Sequence, residues 1–229
     1  VVKNPQYDFG ADVYVAGAEH WYDGTDGKRH RDWCPAFFAE GVQCPLDEAS
    51  DRLKGGDEAD QKLARDLAAK DVFLLNFVLR RLDAQGAVVG TVLRPDGKPD
   101  IRILAVPSTV FLGIFDLVLG AGGQGQGFAL GEIWDPQAGR DILIKRPAAG
   151  QGGRPAPGEQ YKVQAAPTAS PLVIPAERDA WRGWPALLHD LEAEVSPDKI
   201  KSYDELYRAF YGEQPPTTVP PAAAAPPAA

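Results

Sequence analysis

Apolar and polar positions alternate early in the chain. Residues 5–22 read as strand-like, with the two-residue period plain at Asp12-Val13-Tyr14-Val15. Asp23-Gly24 and Asp26-Gly27 follow with turn chemistry. Residues 30–47 hold both cysteines in what reads as a short loop with prolines. From 47 to 70 the spacing becomes helical, at Leu53, Leu63 and Leu67, with Gly55-Gly56 as a break. Residues 71–79 form the clearest strand, too apolar for an exposed edge. Ala84-Gln85-Gly86 turns it back into a strand over 87–93, Pro95-Asp96-Gly97 turns again, and 101–106 is a third strand of this group. Pro107 suits a first helical position and opens a short apolar helix over 108–119. A Gly/Gln loop over 120–127 leads to segments 128–134 and 141–146, which flank the turn at 135–139 as a hairpin. A loose loop over 147–157 precedes a last short strand at 161–165. After Pro175 the spacing predicts a helix over 181–194. Ser202-Tyr203-Asp204-Glu205 is a capping box that starts a final helix through Phe210, stopped by Gly212.

About five short strands with one helix before the fourth fit a small Greek-key barrel of the OB type, and other β-barrels fit the count as well. The expected fold is therefore mainly β with a few helices. A β core is expected over 1–175, with a cysteine-bearing stretch at 18–70 within it; C-terminal helices at 176–213 are expected to pack on it; a Pro/Ala tail at 214–229 is of low complexity. Composition agrees: 24 Gly and 21 Pro in 229 residues favour a loop-rich β protein over a helical bundle. The longest apolar run, 110–119, is broken by Gly113 and Asp116 and falls short of the roughly 18 residues of a membrane span. With no basic-then-apolar leader, a soluble intracellular protein is expected. The chain starts at Val1 and contains no Met, so a lost initiator is expected too.

The net charge of −8 argues by itself against a phosphate-backbone partner. The acids, however, concentrate at 47–66 and 179–213, and the middle of the chain carries short basic runs. A basic groove on an acidic body is compatible with that distribution.

The chemistry-bearing segment is His20, thirteen residues, Cys34, nine residues, then Cys44-Pro45-Leu46-Asp47. Two thiols make no disulfide framework. Thiolate and imidazole bind Zn²⁺ well, and a carboxylate can complete the set. Two residues between Cys44 and Asp47 is a knuckle spacing, in which a tight turn aims both side chains at one ion. His30 is a rival to His20, being nearer to Cys34 in the chain. The alternative is that both cysteines are buried apolar residues and the histidine is incidental.

This segment resembles the zinc subdomain of the T-even bacteriophage single-stranded DNA-binding (helix-destabilising) protein family. The shared features are a histidine, a cysteine about thirteen residues on, a second cysteine after nine more, and Cys44-Pro45; Asp47 stands where that family has cysteine. The resemblance continues through Phe73-Leu74-Leu75-Asn76-Phe77, through 101–114 with Phe111 at an aromatic position, through Trp134-Asp135 to Lys145, and through 196–212, in order over roughly residues 12–212. It implies an OB fold with an inserted element held by one structural Zn²⁺. It also implies a protein that coats and protects single-stranded DNA in phage replication, recombination and repair, in the cytoplasm of the bacterial host. Phage replication and recombination proteins, and cooperative self-association on DNA, are the partners it implies.

Single strands are held by aromatic faces that stack bases and cations that track phosphates. The stacking candidates are Phe73, Phe111 and Tyr161, and Tyr22 beside the ligand; for Phe111, core packing is the stronger alternative. The phosphate candidates are Lys28, Arg29, Arg31, Arg80, Arg81, Arg94, Arg102, Lys145, Arg146 and Lys162. Arg80 and Arg81 are neighbours on a strand and point to opposite faces, so only one of them can line a groove. A zinc-stabilised protein-interaction module is the rival expectation, supported by the acidic balance. An enzyme is not expected. His20 is followed by Trp21-Tyr22 and Cys44 by no second Cys, unlike a deaminase, and the Gly-rich loop lacks a phosphate-binding ending.

Overall fold

The computed structural model describes residues 14–85, 87–119, 139–145 and 161–215. The expected strand at 128–134, Trp134-Asp135, most of the turn after it, the loops at 120–127 and 147–157, Arg146 and residues 216–229 lie outside these. The fold is mixed β/α and divides into two compact units, one of residues 1–16 and 71–194, the other of 17–70 and 195–229. An open four-stranded sheet has the order β2-β1-β3-β6, from β1 (Tyr14–Asp23), β2 (Arg29–Trp33), β3 (Lys70–Val78) and β6 (Ile101–Pro107). Two-stranded ribbons are formed by β4 (Arg80–Leu82) with β5 (Val88–Thr91), and by β7 (Ile142–Lys145) with β8 (Lys162–Ala165). No helix among the described residues is long and apolar enough to cross a membrane.

In the unit of 17–70 and 195–229, β1 and β2 pair antiparallel, with Glu19 opposite Trp33 and Asp23 opposite Arg29. The turn between them is tight: the Gly24 N–H donates to the Lys28 carbonyl at 2.8 Å, and Gly27 has φ of 72°. Three helices follow, α1 (Pro35–Phe38), α2 (Pro45–Leu53) and α3 (Glu58–Leu67), and α5 (Tyr203–Tyr211) closes the unit. Proline at the first helical position starts α1 and α2, and the Asp57 carboxylate caps α3 by accepting from the Asp60 N–H. The capping box of α5 forms between Ser202 and Glu205, and Gly212 ends the helix at φ of 78°. Ala18, Tyr22, Cys34, Cys44, Leu46, Ala49, Leu67 and Leu206 make one core. The region at 30–47 is therefore not a plain loop. Charged β2 pairs with β1, and a short helix sits between the cysteines.

In the unit of 1–16 and 71–194, β3 and β6 pair in register from Val72 opposite Pro107 to Val78 opposite Ile101. Their apolar face carries α4 (Ser108–Leu119), and Val106, Val110, Phe111, Ile114 and Phe115 form the core with Tyr14, Phe73, Tyr161 and Val163. Gly113 allows β8 close to α4: a Cβ there would stand 3.0 Å from Val163 Cγ2. β7 pairs with β8, Ile142 opposite Ala165 and Lys145 opposite Lys162. The expected helix at 181–194 is replaced by turns and two 3-10 segments, Trp184–Leu187 and Glu192–Val195. Gly183, at φ of 73°, and Pro185 break helical propagation there. Asn76 anchors this stretch, its amide donating to the His189 carbonyl at 3.0 Å and accepting from the His189 N–H at 2.9 Å. Residues 176–194 thus belong to one unit and α5 to the other.

Leu206 is wholly buried against the cysteine-bearing core. Leu206→Ala is expected to lower the unfolding free energy by about 2–5 kcal/mol in urea titration. A change below about 1 kcal/mol would show that α5 is not part of that core.

Candidate metal centre

The two-residue period of β1 turns Ala18, His20 and Tyr22 inward and leaves Trp21 and Asp23 outside. His20 is 0% exposed, and its Nδ1 lies 2.7 Å from the Leu67 carbonyl at the end of α3. A carbonyl can only accept, so Nδ1 carries the proton and Nε2 presents its lone pair. Nε2 sits 3.2 Å from Cys44 Sγ and 3.9 Å from an Asp47 carboxylate oxygen. Cys34 follows β2 directly; its N–H donates to the Ala18 carbonyl at 2.8 Å, and its Sγ lies 3.2 Å from Asp47 Oδ2. Cys34 and Cys44 stand at the N-caps of α1 and α2, and Asp47 lies in the first turn of α2. The N-terminal partial charge of α2 there favours anionic donors.

One donor atom from each of His20, Cys34, Cys44 and Asp47 lies within 4.8 Å of every other. Bonds of about 2.0–2.3 Å to a tetrahedral ion would set donor–donor edges of roughly 3.3–3.8 Å, so the 3.2 Å pairs would open slightly and the wider ones, up to 4.8 Å, would close. The chemistry of the set fits as well. Cys44 is shifted toward thiolate, chiefly because it accepts from the Cys34 thiol, with the Asp47 and Leu46 amides acting the same way against burial. Cys34 is pushed far up by that hydrogen bond and by burial. Burial works to lower His20, but Cys34 and the Leu67 carbonyl outweigh it and the imidazole is raised. A cation would take the place of the shared protons. Asp47 is the one donor open to water, its side chain 39% exposed.

His30 does not join the cluster. Its Nε2 lies 2.8 Å from Asp26 and its ring stacks on Tyr22. Tyr22 is only 1% exposed and donates its hydroxyl to Asp32, so its ring has no face for a base. Phe111 is buried and stacks on half-buried Phe73 at 3.9 Å between ring centroids, as core packing requires. Tyr161 is half-buried against the same core. Arg80 is held inside, donating to the Pro171 and Leu172 carbonyls and paired with Asp141, while Arg81 points outward toward Glu177. Arg29, Arg31, Arg94 and Arg102 pair with Asp23, Glu19, Asp96 and Asp100. Lys28, Lys145 and Lys162 are exposed. Trp21 and Glu19 carry no ligand spacing or basic charge that would mark them in the sequence. Strand alternation held the signal, because a buried Tyr22 requires its neighbour to face outward.

Neither the family models nor the curated proteins contain a match to this chain. The donor set itself is geometrically compatible with a structural metal site. A strong chelator is expected to lower the melting temperature of the protein and of Cys44→Ser by different amounts, large for the former and near zero for the latter. Equal shifts would contradict a bound ion. Because the thiols must lose protons to bind, the apparent metal affinity measured by competition with a chromophoric chelator should fall as pH falls.

Proposed function

We propose that this protein is a single-stranded DNA-binding protein of the bacteriophage type, built on an OB-type β core whose insertion is held by one structural Zn²⁺. The observation that carries the reading is the convergence of His20, Cys34, Cys44 and Asp47 on one point in the chain order that the family resemblance implies. One nitrogen, two sulfurs and one oxygen within 4.8 Å of one another suit Zn²⁺ better than Mg²⁺ or Ca²⁺, which take six or more oxygens. With all four donors supplied by the protein, such an ion would hold structure, as closed zinc sites do.

The ribbon of β7 and β8 supports an anionic partner. Lys145 and Lys162 stand directly opposite each other and exposed, and neither pairs with an acid among the described residues. Like charges in that position oppose strand pairing. A phosphate between them would offset the repulsion. Phe73 and Tyr161, half-buried at the rim of the same unit's core, remain the stacking candidates. Coating of DNA in replication, recombination and repair, cooperative self-association, and contacts with phage replication proteins in the host cytoplasm belong to this proposal. One observation favours the zinc-stabilised interaction module instead: Arg29, Arg31, Arg80, Arg81, Arg94 and Arg102 each lie within 4.0 Å of a carboxylate, which reduces the free positive charge.

Fluorescence anisotropy of a labelled oligothymidine, titrated at several salt concentrations, separates the two. Single-strand binding predicts saturation and a linear fall of log affinity with log salt, with a slope of about −0.7 per phosphate contact. No binding at low salt leaves the interaction module.

A further inference from the structure

The geometry points to a base-stacking platform on the outer face of the β1–β2 hairpin, made of Trp21 and Arg31 and positioned by Glu19; the inference rests on the single-strand reading above. Trp21 and Arg31 are direct partners across the hairpin. Trp21 is 40% exposed, and the Arg31 guanidinium carbon lies 5.5 Å from the centre of its ring. The two are tied by one carboxylate. The Trp21 indole N–H donates to Glu19 Oε1 at 2.6 Å, and Arg31 Nε donates to Glu19 Oε2. The Glu19 side chain is only 7% exposed.

A carboxylate is buried at a cost unless it is hydrogen-bonded, and here both its bonds go to side chains that themselves reach solvent. On a side chain as exposed as Trp21, water can serve an indole N–H without a protein partner. The buried carboxylate therefore does something water does not: it fixes the plane of the Trp21 ring and the direction of the Arg31 fork. The terminal nitrogens of Arg31 bond to none of the described residues, and a guanidinium in that state suits a phosphate. A fixed aromatic face beside a fixed guanidinium takes one unstacked base and a neighbouring phosphate. Duplex DNA offers no free base face, so a single strand is the occupant. Arg29, two residues from Arg31 on the same strand face, is paired with Asp23, and Lys28 at the turn is exposed.

The test is oligothymidine anisotropy at low salt with the full chain and the variants W21A, W21F, R31A and Glu19→Gln, each checked for metal content and circular dichroism. W21A should weaken binding about five- to a hundredfold, the range for loss of one stacked base, and W21F should retain most of the affinity. R31A should weaken binding and make the log–log salt slope shallower by about 0.7, one phosphate contact. Glu19→Gln should weaken binding with no change of slope, as a positioning residue does. Binding by the unaltered protein with W21A equally tight would overturn the platform and leave the single-strand reading standing. Absence of binding by the unaltered protein would remove both. Should W21A fail to fold, ultraviolet cross-linking of the unaltered protein decides: an adduct on the peptide containing Trp21 supports the platform, and adducts only elsewhere overturn it.

Discussion

Four polar donors, His20, Cys34, Cys44 and Asp47, are forced into one small space, and the unit of residues 17–70 and 195–229 is organised around that constraint. His20 comes from a strand, Cys34 and Cys44 from the starts of two helices, and Asp47 from the first turn of the second. Each element is short. α1 has four residues and β2 has five, lengths that hold little structure alone. A unit of this size buries a smaller fraction of its surface than a large domain and gains most from a cross-link. A metal ion at the cluster would tie β1, α1 and α2 together at one point, and the Leu67 carbonyl bonded to His20 Nδ1 would extend the tie to the end of α3.

The strand that supplies His20 also shapes the outer surface. Placing His20 and Tyr22 inward leaves Trp21 outside, beside Arg31 and over Glu19. Metal-binding and outward-facing chemistry on β1 are thus two faces of one alternation. A one-residue slip of β1 against β2 would exchange them, burying Trp21 and exposing the ligand. The Leu67 hydrogen bond to His20 opposes that slip, and an ion held by the cluster would oppose it too.

Much of this was legible in the chain. A dense run of aromatic and branched residues marked β3, the turn at Pro95-Asp96-Gly97 marked the approach to β6, Pro107 marked the start of α4, and the Ser202–Glu205 capping box with Gly212 marked both ends of α5. Ligand spacing marked His20, Cys34, Cys44 and Asp47, whose convergence the fold displays. Other features depend on contacts that spacing does not report. β2 is Arg-His-Arg-Asp-Trp, with no apolar alternation, and is a strand because it pairs with β1. Helical spacing at Leu187, Leu188 and Leu191 is overridden by Gly183 and Pro185 and by the Asn76 bonds to His189. Tyr22 was a reasonable stacking candidate from its position beside His20, yet its inward direction follows from the same alternation that buries the ligand. The charge of the basic residues was countable, but their pairing with Asp23, Asp96, Asp100 and Asp141 comes from short turns and tertiary contacts.

The most direct test of the central claim is X-ray absorption at the zinc edge on the protein refolded with one equivalent of Zn²⁺. A four-coordinate site built from His20, Cys34, Cys44 and Asp47 predicts two sulfur neighbours at about 2.3 Å and two nitrogen or oxygen neighbours at about 2.0–2.2 Å, with the outer-shell scattering of one imidazole. A shell of light atoms alone, or an ion removed by simple dialysis, would contradict the metal centre.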